Sequence, residues 1–315
     1  MSVAGVVGEV PFCDTRSVGE VQPTHEQAVR ALRALAGSRC ADAERHTDAV
    51  PDSPLIVRSW KLLLRGLVEI ETGRLRHAEP DLLQAAALAF IEAVGVDDHA
   101  QAEASRVAAK ALNRLGWVYR REERPEDAER THLAAYQLRE RYGSFEELWE
   151  TACELGLDAD VARRFDEAER WHREAVDFAV RCTEEPVLKL AVAWTSLATS
   201  LSEAARHEGA VAAARSACEA WRRHDPAAVT AAQAEMRLGG ALLKHGESLA
   251  DANAVKAMPI LNESVEVLTS VRDALAAFGP SHETEAAWCG EQLDFAARLV
   301  ASSGECCRGP RTALG

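Results

Sequence analysis

Apolar residues recur every three or four positions along most of the chain, and short polar breaks separate these runs. Leu112, Leu115 and Tyr119 show the spacing in one run, which a polar break at residues 124–127 ends. This is the period of a helix with one buried face, and no apolar-polar alternation long enough for a strand occurs. The pattern therefore predicts an all-α protein of paired helices joined by short turns.

One stretch of this pattern occurs twice between residues 109 and 182. Gly116 is followed by Ala128 and Ala135 at offsets of 12 and 19, and Gly156 is followed by alanines at the same offsets. The sequence DAERTH at residues 127–132 is closely repeated 40 residues later as EAERWH. Such self-similarity predicts a repeat architecture, in which each unit buries its apolar face against its neighbours.

Small residues mark the first helix of each unit. These anchors lie 50, 40, 42 and 41 residues apart, and they are Gly66, Gly116, Gly156, Ala198 and Gly239. Because a small residue lets two helices approach closely, we expect Gly116 to face Ala128 on the second helix of its unit.

The text Leu115-Gly116-x2-Tyr119, with Trp194-x2-Leu197 in a later unit, resembles the tetratricopeptide repeat. That signature is W-x2-L-G-x2-Y, followed by A-x3-F and a proline. The units exceed the usual length of roughly 34 residues, and their A-E-R-x-H text is similar to the kinesin light chain variety. The resemblance implies a right-handed α-α superhelix of about six helical hairpins and a C-terminal capping helix, with about 12 to 14 helices in all.

The ends of the helical period predict the domain boundaries. Residues 1–23 contain three Gly and two Pro without a sustained period, so a loosely ordered leader is expected. A capping box, Thr24-x2-Gln27, opens the solenoid, which is predicted over residues 24–301. Residues 302–315 lack an apolar period and are expected to form a disordered tail.

The charge and the cysteine content indicate which partners and which compartment to expect. A formal charge of −14 argues against binding to nucleic acid or to an anionic membrane. The eight cysteines are widely spaced without a CxxC or a zinc-ligand pattern, so most are expected to be small buried hydrophobes. Since no signal peptide and no run of about 18 apolar residues occurs, a cytoplasmic protein is expected.

No motif for catalysis, a metal or a cofactor is present, whether a nucleophile elbow, Walker loop, HExxH, dinucleotide glycine signature or calcium loop. His132 and His172 recur at equivalent positions, but no third ligand follows the register, so packed core histidines are expected. Cys306 and Cys307 are interpreted as an incidental pair in the tail. We therefore expect no catalytic residue, no metal and no cofactor, and a binding protein is favoured over an enzyme.

One face of the first helix around Gly116 is the candidate binding surface. Its members are spaced three and four apart, and they are Lys110, Asn113, Trp117, Arg120 and Arg121. The resemblance implies that this face lines a concave groove, where a tryptophan would stack on a peptide and cations would bind carboxylates. The alternative is that Trp117 packs against the next unit and the charges are solvated.

The same stripe continues along later units and adds Thr195, Thr199 and Arg237 as candidates, with Gly240 leaving room for a ligand. The Lys and two-Asn arrangement of the carboxylate-clamp members of the family is not reproduced, since only Asn113 matches. Nine of the 36 Lys and Arg residues lie within residues 106–141, which favours an acidic partner.

These observations favour a scaffold or adaptor that binds a protein or peptide segment, with neither nucleic acid nor membrane as a partner. The family resemblance leaves a second hypothesis open, a peptide-responsive regulatory sensor of a bacterial signalling pathway. A third is an accessory or catalytic component of a biosynthetic pathway, which would require a closed apolar pocket with perturbed acids or histidines.

Overall fold

The computed structural model describes residues 26–52, 54–94 and 96–307. Within these ranges the chain forms thirteen α-helices and one 3-10 turn, and no strand. The expected all-α fold of six hairpins and a C-terminal helix is confirmed. The predicted leader, Thr24 of the proposed capping box and residues 308–315 lie outside the described residues.

Consecutive helices pair as hairpins. Their bounds are α1 Glu26–Ala36, α2 Cys40–Asp48, α3 Leu55–Glu71, α4 Leu75–Glu92, α5 Asp98–Arg121, α6 Pro125–Tyr142, α7 Phe145–Val161, α8 Phe165–Arg181, α9 Pro186–Glu203, α10 His207–His224, α11 Val229–Ala250, α12 Ala254–Ala277 and α13 Glu283–Cys307. The last helix packs on α12 through the buried side chains of Cys289 and Ala296. It continues to Cys307, beyond the predicted start of the tail at residue 302.

The described residues divide into two compact units, α1–α8 and α9–α13. The core of the first unit includes Trp60, Leu63 and Leu115, and fully buried alanines fill the helix crossings. The core of the second unit includes Leu197 and Trp221. Each unit therefore buries its own apolar stripe, as a repeat of helical hairpins requires.

The glycine anchors allow close approach, but to a different residue from the one predicted. A Cβ atom on Gly116 would lie 2.5 Å from the ring of His132, and one on Gly156 would lie 2.4 Å from the ring of His172. The neighbour is thus 16 residues after the anchor, one helical turn beyond Ala128. The nearest neighbour of Gly116 is therefore His132 rather than the predicted Ala128, because a ring projecting from the next turn fills the space.

Four of the hairpin turns repeat one backbone conformation. The residue seven after the anchor has a positive φ in four hairpins: 74° at Gly73, 60° at Glu123, 56° at Arg163 and 55° at Ala205. Only one of the four is glycine, although this left-handed region favours glycine. The turn is therefore set by the packing of the two helices.

An arginine follows each of these left-handed residues, and three of the four, at Arg74, Arg124 and Arg164, pair with a glutamate of the preceding hairpin. Arg124 lies 3.1 Å from Glu79 of the preceding hairpin, and Arg164 lies 2.7 Å from Glu129. Both glutamates follow the alanine that marks the second helix. These ion pairs are partly exposed, so they contribute modest stability and help to fix the register between hairpins.

Candidate functional site

The candidate surface lies on α5. Asp97 caps the first turn of this helix, because the Asp97 carboxylate accepts a hydrogen bond from the backbone N–H of Ala100 at 2.9 Å. We call the stripe of Lys110, Asn113, Trp117, Arg120 and Arg121 the first-helix face. Lys110 and Asn113 are buried, Trp117 and Arg120 are partly buried, and Arg121 is exposed.

A buried charge cluster lies beneath the N-terminal part of this face. Glu150 of α7 accepts hydrogen bonds from Arg114 at 2.6 Å and pairs with Arg139 of α6 at 2.9 Å. Burial alone would raise the pKa of Glu150, but Arg114 and Arg139 outweigh it and hold the pKa at about 2. Burial lowers the pKa of Lys110 to about 8, although Glu150 opposes the shift. Three cations thus surround one buried carboxylate.

A second buried cluster lies beneath the C-terminal part. Arg120 donates a hydrogen bond to Asp158 at 2.8 Å and also pairs with Glu154, and both acids are about 1% exposed. The second oxygen of Asp158 binds Nδ1 of His132, whose Nε2 lies 3.1 Å from the backbone carbonyl of Asn113. Burial raises the pKa of Glu154 against the opposing charge of Arg120. Together the two clusters hold α5, α6 and α7 in one register.

The two histidines are core residues, as expected. Both rings are fully buried, and Nε2 of His172 lies 2.9 Å from the carboxylate of Asp160. Among the residues that the structure describes, no group of His, Cys, Asp and Glu is arranged to hold a metal ion.

Trp117 and Arg121 are the members of the first-helix face that reach its surface together. The guanidinium carbon of Arg121 lies 5.3 Å from the centre of the Trp117 ring, within the range of a cation–π contact. The other edge of Trp117 packs against the core of the first unit. The partly buried Cys153 and Leu157 of α7 carry the same stripe into the next hairpin. The pair offers an aromatic surface beside a cation.

Most of the cations that favoured an acidic partner have internal acceptors. Besides the clustered arginines, Arg106 donates to the backbone carbonyl of Tyr142 at 2.7 Å, and Arg124 and Arg130 pair with Asp127. The local excess of Lys and Arg therefore holds helices together more than it charges the surface.

The candidate residues in the second unit differ from one another in burial and in their contacts. Thr195 is buried and accepts a hydrogen bond from the indole of Trp221 at 3.1 Å, while Thr199 is exposed. Arg237 is half-buried, and burial lowers its pKa to about 10. At Gly240 an added Cβ would lie 3.1 Å from Trp288 of α13. The expected room for a ligand there is therefore taken by α13.

A cleft that the sequence did not predict lies among α2, α3 and α4. Its volume is about 290 Å³, and it is lined by Glu44, Thr47, Asp48, Arg65, Val68, Glu69, Arg74 and His77. Burial and the charge of Asp81 raise the pKa of Glu69. Arg65 spans part of the wall and pairs with Asp81 at 2.8 Å. The mixed charges leave no dominant sign for a ligand to match.

Solved structures share this arrangement of helices. A signal transduction ATPase with numerous domains and a tetratricopeptide repeat sensor, PH0952 from Pyrococcus horikoshii, is 12% identical with a TM-score of 0.59, over 88% of this chain and 41% of that one. The chain has the tetratricopeptide repeat fold.

Two further structures match this repeat fold over nearly their whole length. The apo form of RapI is 10% identical, with a TM-score of 0.56 over 88% of this chain and 98% of that one. A Rap protein complexed with Competence and Sporulation Factor is 11% identical, with a TM-score of 0.50 over 90% and 89%. Neither a protein-family model nor a curated protein matches the chain. The kinesin light chain variety of the repeat stays a prediction.

None of the helices in the described ranges combines the length and the apolar character needed to cross a bilayer.

Proposed function

We propose that the chain is a scaffold that binds a protein or peptide segment across the first-helix face of the first unit. The observation that carries the proposal is the Trp117–Arg121 pair, which offers an aromatic ring and a cation above a buried charge network. Aromatic and arginine side chains are enriched among the residues that dominate binding energy. A segment with an apolar side chain next to a carboxylate fits this surface, because the ring takes the apolar group and the guanidinium takes the acid.

Different members of the face would have different roles. Trp117 and Arg121 would contact the partner. Lys110, Asn113 and Arg120 would position them, since these three are held among the buried groups that fix α5 against α6 and α7. A face fixed before binding loses less conformational entropy when the partner arrives, which raises affinity.

The fold supports a binding role in general terms. The Rap protein that shares it was solved in complex with Competence and Sporulation Factor. A scaffold and a peptide-responsive sensor would use the same face, and they differ in whether binding alters a downstream protein. A preference for acidic segments would rest on the exposed guanidinium of Arg121 beside Trp117.

The proposal is tested by selecting peptides from a random display library on the immobilised full chain and measuring the affinity of the selected peptides by titration calorimetry. Trp117→Ala should weaken binding by roughly thirtyfold, as for a hot-spot residue worth about 2 kcal/mol. Arg121→Gln should weaken the binding of carboxylate-bearing peptides by about tenfold and leave their amidated analogues unaffected.

Arg141→Gln is the matched control, because Arg141 is an exposed arginine on α6, away from the face. This variant should bind the selected peptides like the wild-type protein. Circular dichroism melts of all variants show whether each remains folded. Selected peptides that bind the Trp117→Ala variant with unchanged affinity would place the binding surface elsewhere.

A further inference from the structure

The outer face of α4 carries an exposed apolar stripe. Leu83, Ala87, Phe90 and Ile91 recur at spacings of three and four, so they lie along one side of the helix, and Val94 follows just beyond its C-terminal end. Leu83 is 46% exposed, Phe90 44%, Ile91 59% and Val94 79%. A contiguous row of large apolar side chains in water indicates a surface that another molecule covers.

The neighbouring hairpins provide an internal comparison. In the second helices of the next two hairpins, the positions equivalent to Ala87 and Ile91 carry exposed polar side chains. These are Gln137 and Arg141 in α6, and Asp177 and Arg181 in α8. Val180 of α8, at the position of Phe90, is a single exposed apolar residue between charged neighbours. The repeat fold therefore does not require an apolar outer face, and the two hairpins that follow α4 do not share the stripe.

Opposite charges stand at the two ends of the stripe. Arg76, two helical turns before Leu83, lies on the same side of α4 and is exposed. Beyond the other end, Asp97 and Asp98 are exposed in the connection to α5 and its first turn. The order along the chain is thus an exposed cation, an uncharged apolar row and then two exposed carboxylates.

We propose that a second copy of the chain packs on this stripe, with the two α4 helices antiparallel about a twofold axis. In that arrangement each apolar row meets its own copy, and Arg76 at one end faces the partner's Asp97 and the partner's Asp98. A twofold interface requires such a self-complementary surface. The i, i+4 spacing of the apolar residues is the spacing that packs one helix against another.

The overall charge of −14 opposes self-association, but exposed charges are screened beyond about 10 Å at 0.1 M salt. The charges nearest the stripe act over a shorter distance, and they attract in the antiparallel arrangement and repel in the parallel one. The charges therefore favour the antiparallel orientation, while burial of the apolar row drives the association of the two copies.

Sedimentation velocity of the full chain over a range of concentrations tests the proposal. The wild-type protein should show a reversible monomer–dimer equilibrium, and Ile91→Lys should abolish it. Arg76→Glu should raise the dissociation constant by about tenfold, and so should Asp98→Lys combined with Asp97→Asn, which keeps a capping side chain at the start of α5; each change places like charges at both ends of the interface. The variant that combines all three changes carries reversed charges that match again, so it should recover most of the wild-type affinity.

Arg141→Glu on α6 is the matched control and should leave the dissociation constant unchanged. Circular dichroism melts verify that the α4 variants remain folded. A wild-type protein that stays monomeric at all concentrations overturns the proposal and assigns the stripe to a different partner. A dimer that persists in Ile91→Lys, or a combined variant no better than the single ones, overturns it as well.

Discussion

Arg120 and Arg121 are adjacent cations with opposite surroundings, and comparing them tests whether the buried network stabilises α5. Arg120 pairs with two acids that are about 1% exposed, whereas Arg121 is exposed beside Trp117. We predict that Arg120→Gln is strongly destabilising and that Arg121→Gln is nearly silent in stability.

The magnitude follows from the burial of the acids. Removing one partner of a buried ion pair costs about 3–5 kcal/mol, because the remaining charge stays buried without compensation. The side chain of Arg120 is itself 14% exposed, so water relieves part of this penalty and the lower end, about 3 kcal/mol, is expected. At roughly 2–4 °C per kcal/mol for a unit of this size, the melting temperature should fall by roughly 6–12 °C. Arg121→Gln loses a cation–π contact of about 0.5–1 kcal/mol.

The assay is thermal unfolding by circular dichroism, supported by calorimetry. Adding Glu154→Gln to Arg120→Gln removes one of the two buried carboxylates that lost Arg120 as a partner, so it should restore part of the lost stability. Acidification provides a second check. Burial places the pKa of Glu154 above its unfolded value, and loss of Arg120 raises it further, so the folded state binds more protons and the deficit of Arg120→Gln shrinks as the pH falls. Equal melting temperatures for Arg120→Gln and Arg121→Gln would refute the reasoning.

Four further predictions concern the same elements. Gly116→Ala should cost about 1–3 kcal/mol by pressing on the ring of His132, whereas Gly290→Ala, with open space around it, should not destabilise in the same melts. Ala205→Gly should raise stability by about 0.5–1 kcal/mol, since φ is 55° there. Lys110→Met should stabilise at pH 7, and the wild-type protein should gain stability between pH 8 and about 10.4, because the unfolded state binds more protons in that window. The contribution of Glu150 should be complete above about pH 4.3 and lost in an acid titration toward pH 2.

The fold could be predicted from the sequence because its determinants are local and periodic. A small anchor every 40 to 50 residues, an apolar stripe and a polar break suffice to define a helical hairpin. Ser144 and Glu147 form a capping box at the start of α7, which is another local signal. The residue that packs against each glycine anchor was not predicted, although in three hairpins it follows the glycine at a constant offset in the sequence. The residue 16 after three of the four glycine anchors is large, as at Leu82, His132 and His172, whereas Ala214 follows the bulkier Ala198 and Gly239 meets Leu268 instead.

The buried charges could not be predicted from one helix at a time. The cations of α5 predict an accessible stripe, and the sequence of α7 alone does not show that Glu150, Glu154 and Asp158 pair with them. The pairing depends on the register between two helices that lie more than thirty residues apart in the chain. The spacing of four between the three acids was the available signal, because it places them on one side of α7. Contact between the stripes is a property of the packed hairpins.

The network also explains why the accessible part of the first-helix face is small. Replacing a buried ion pair by apolar residues is often neutral or stabilising, so stability alone does not account for two charge clusters at one helix junction. Charges that must meet their partners allow one register of α5 against α7, whereas a purely apolar stripe can slide. A fixed register places Trp117 and Arg121 in one position relative to Cys153 and Leu157. That placement connects the buried charges with the proposed binding surface.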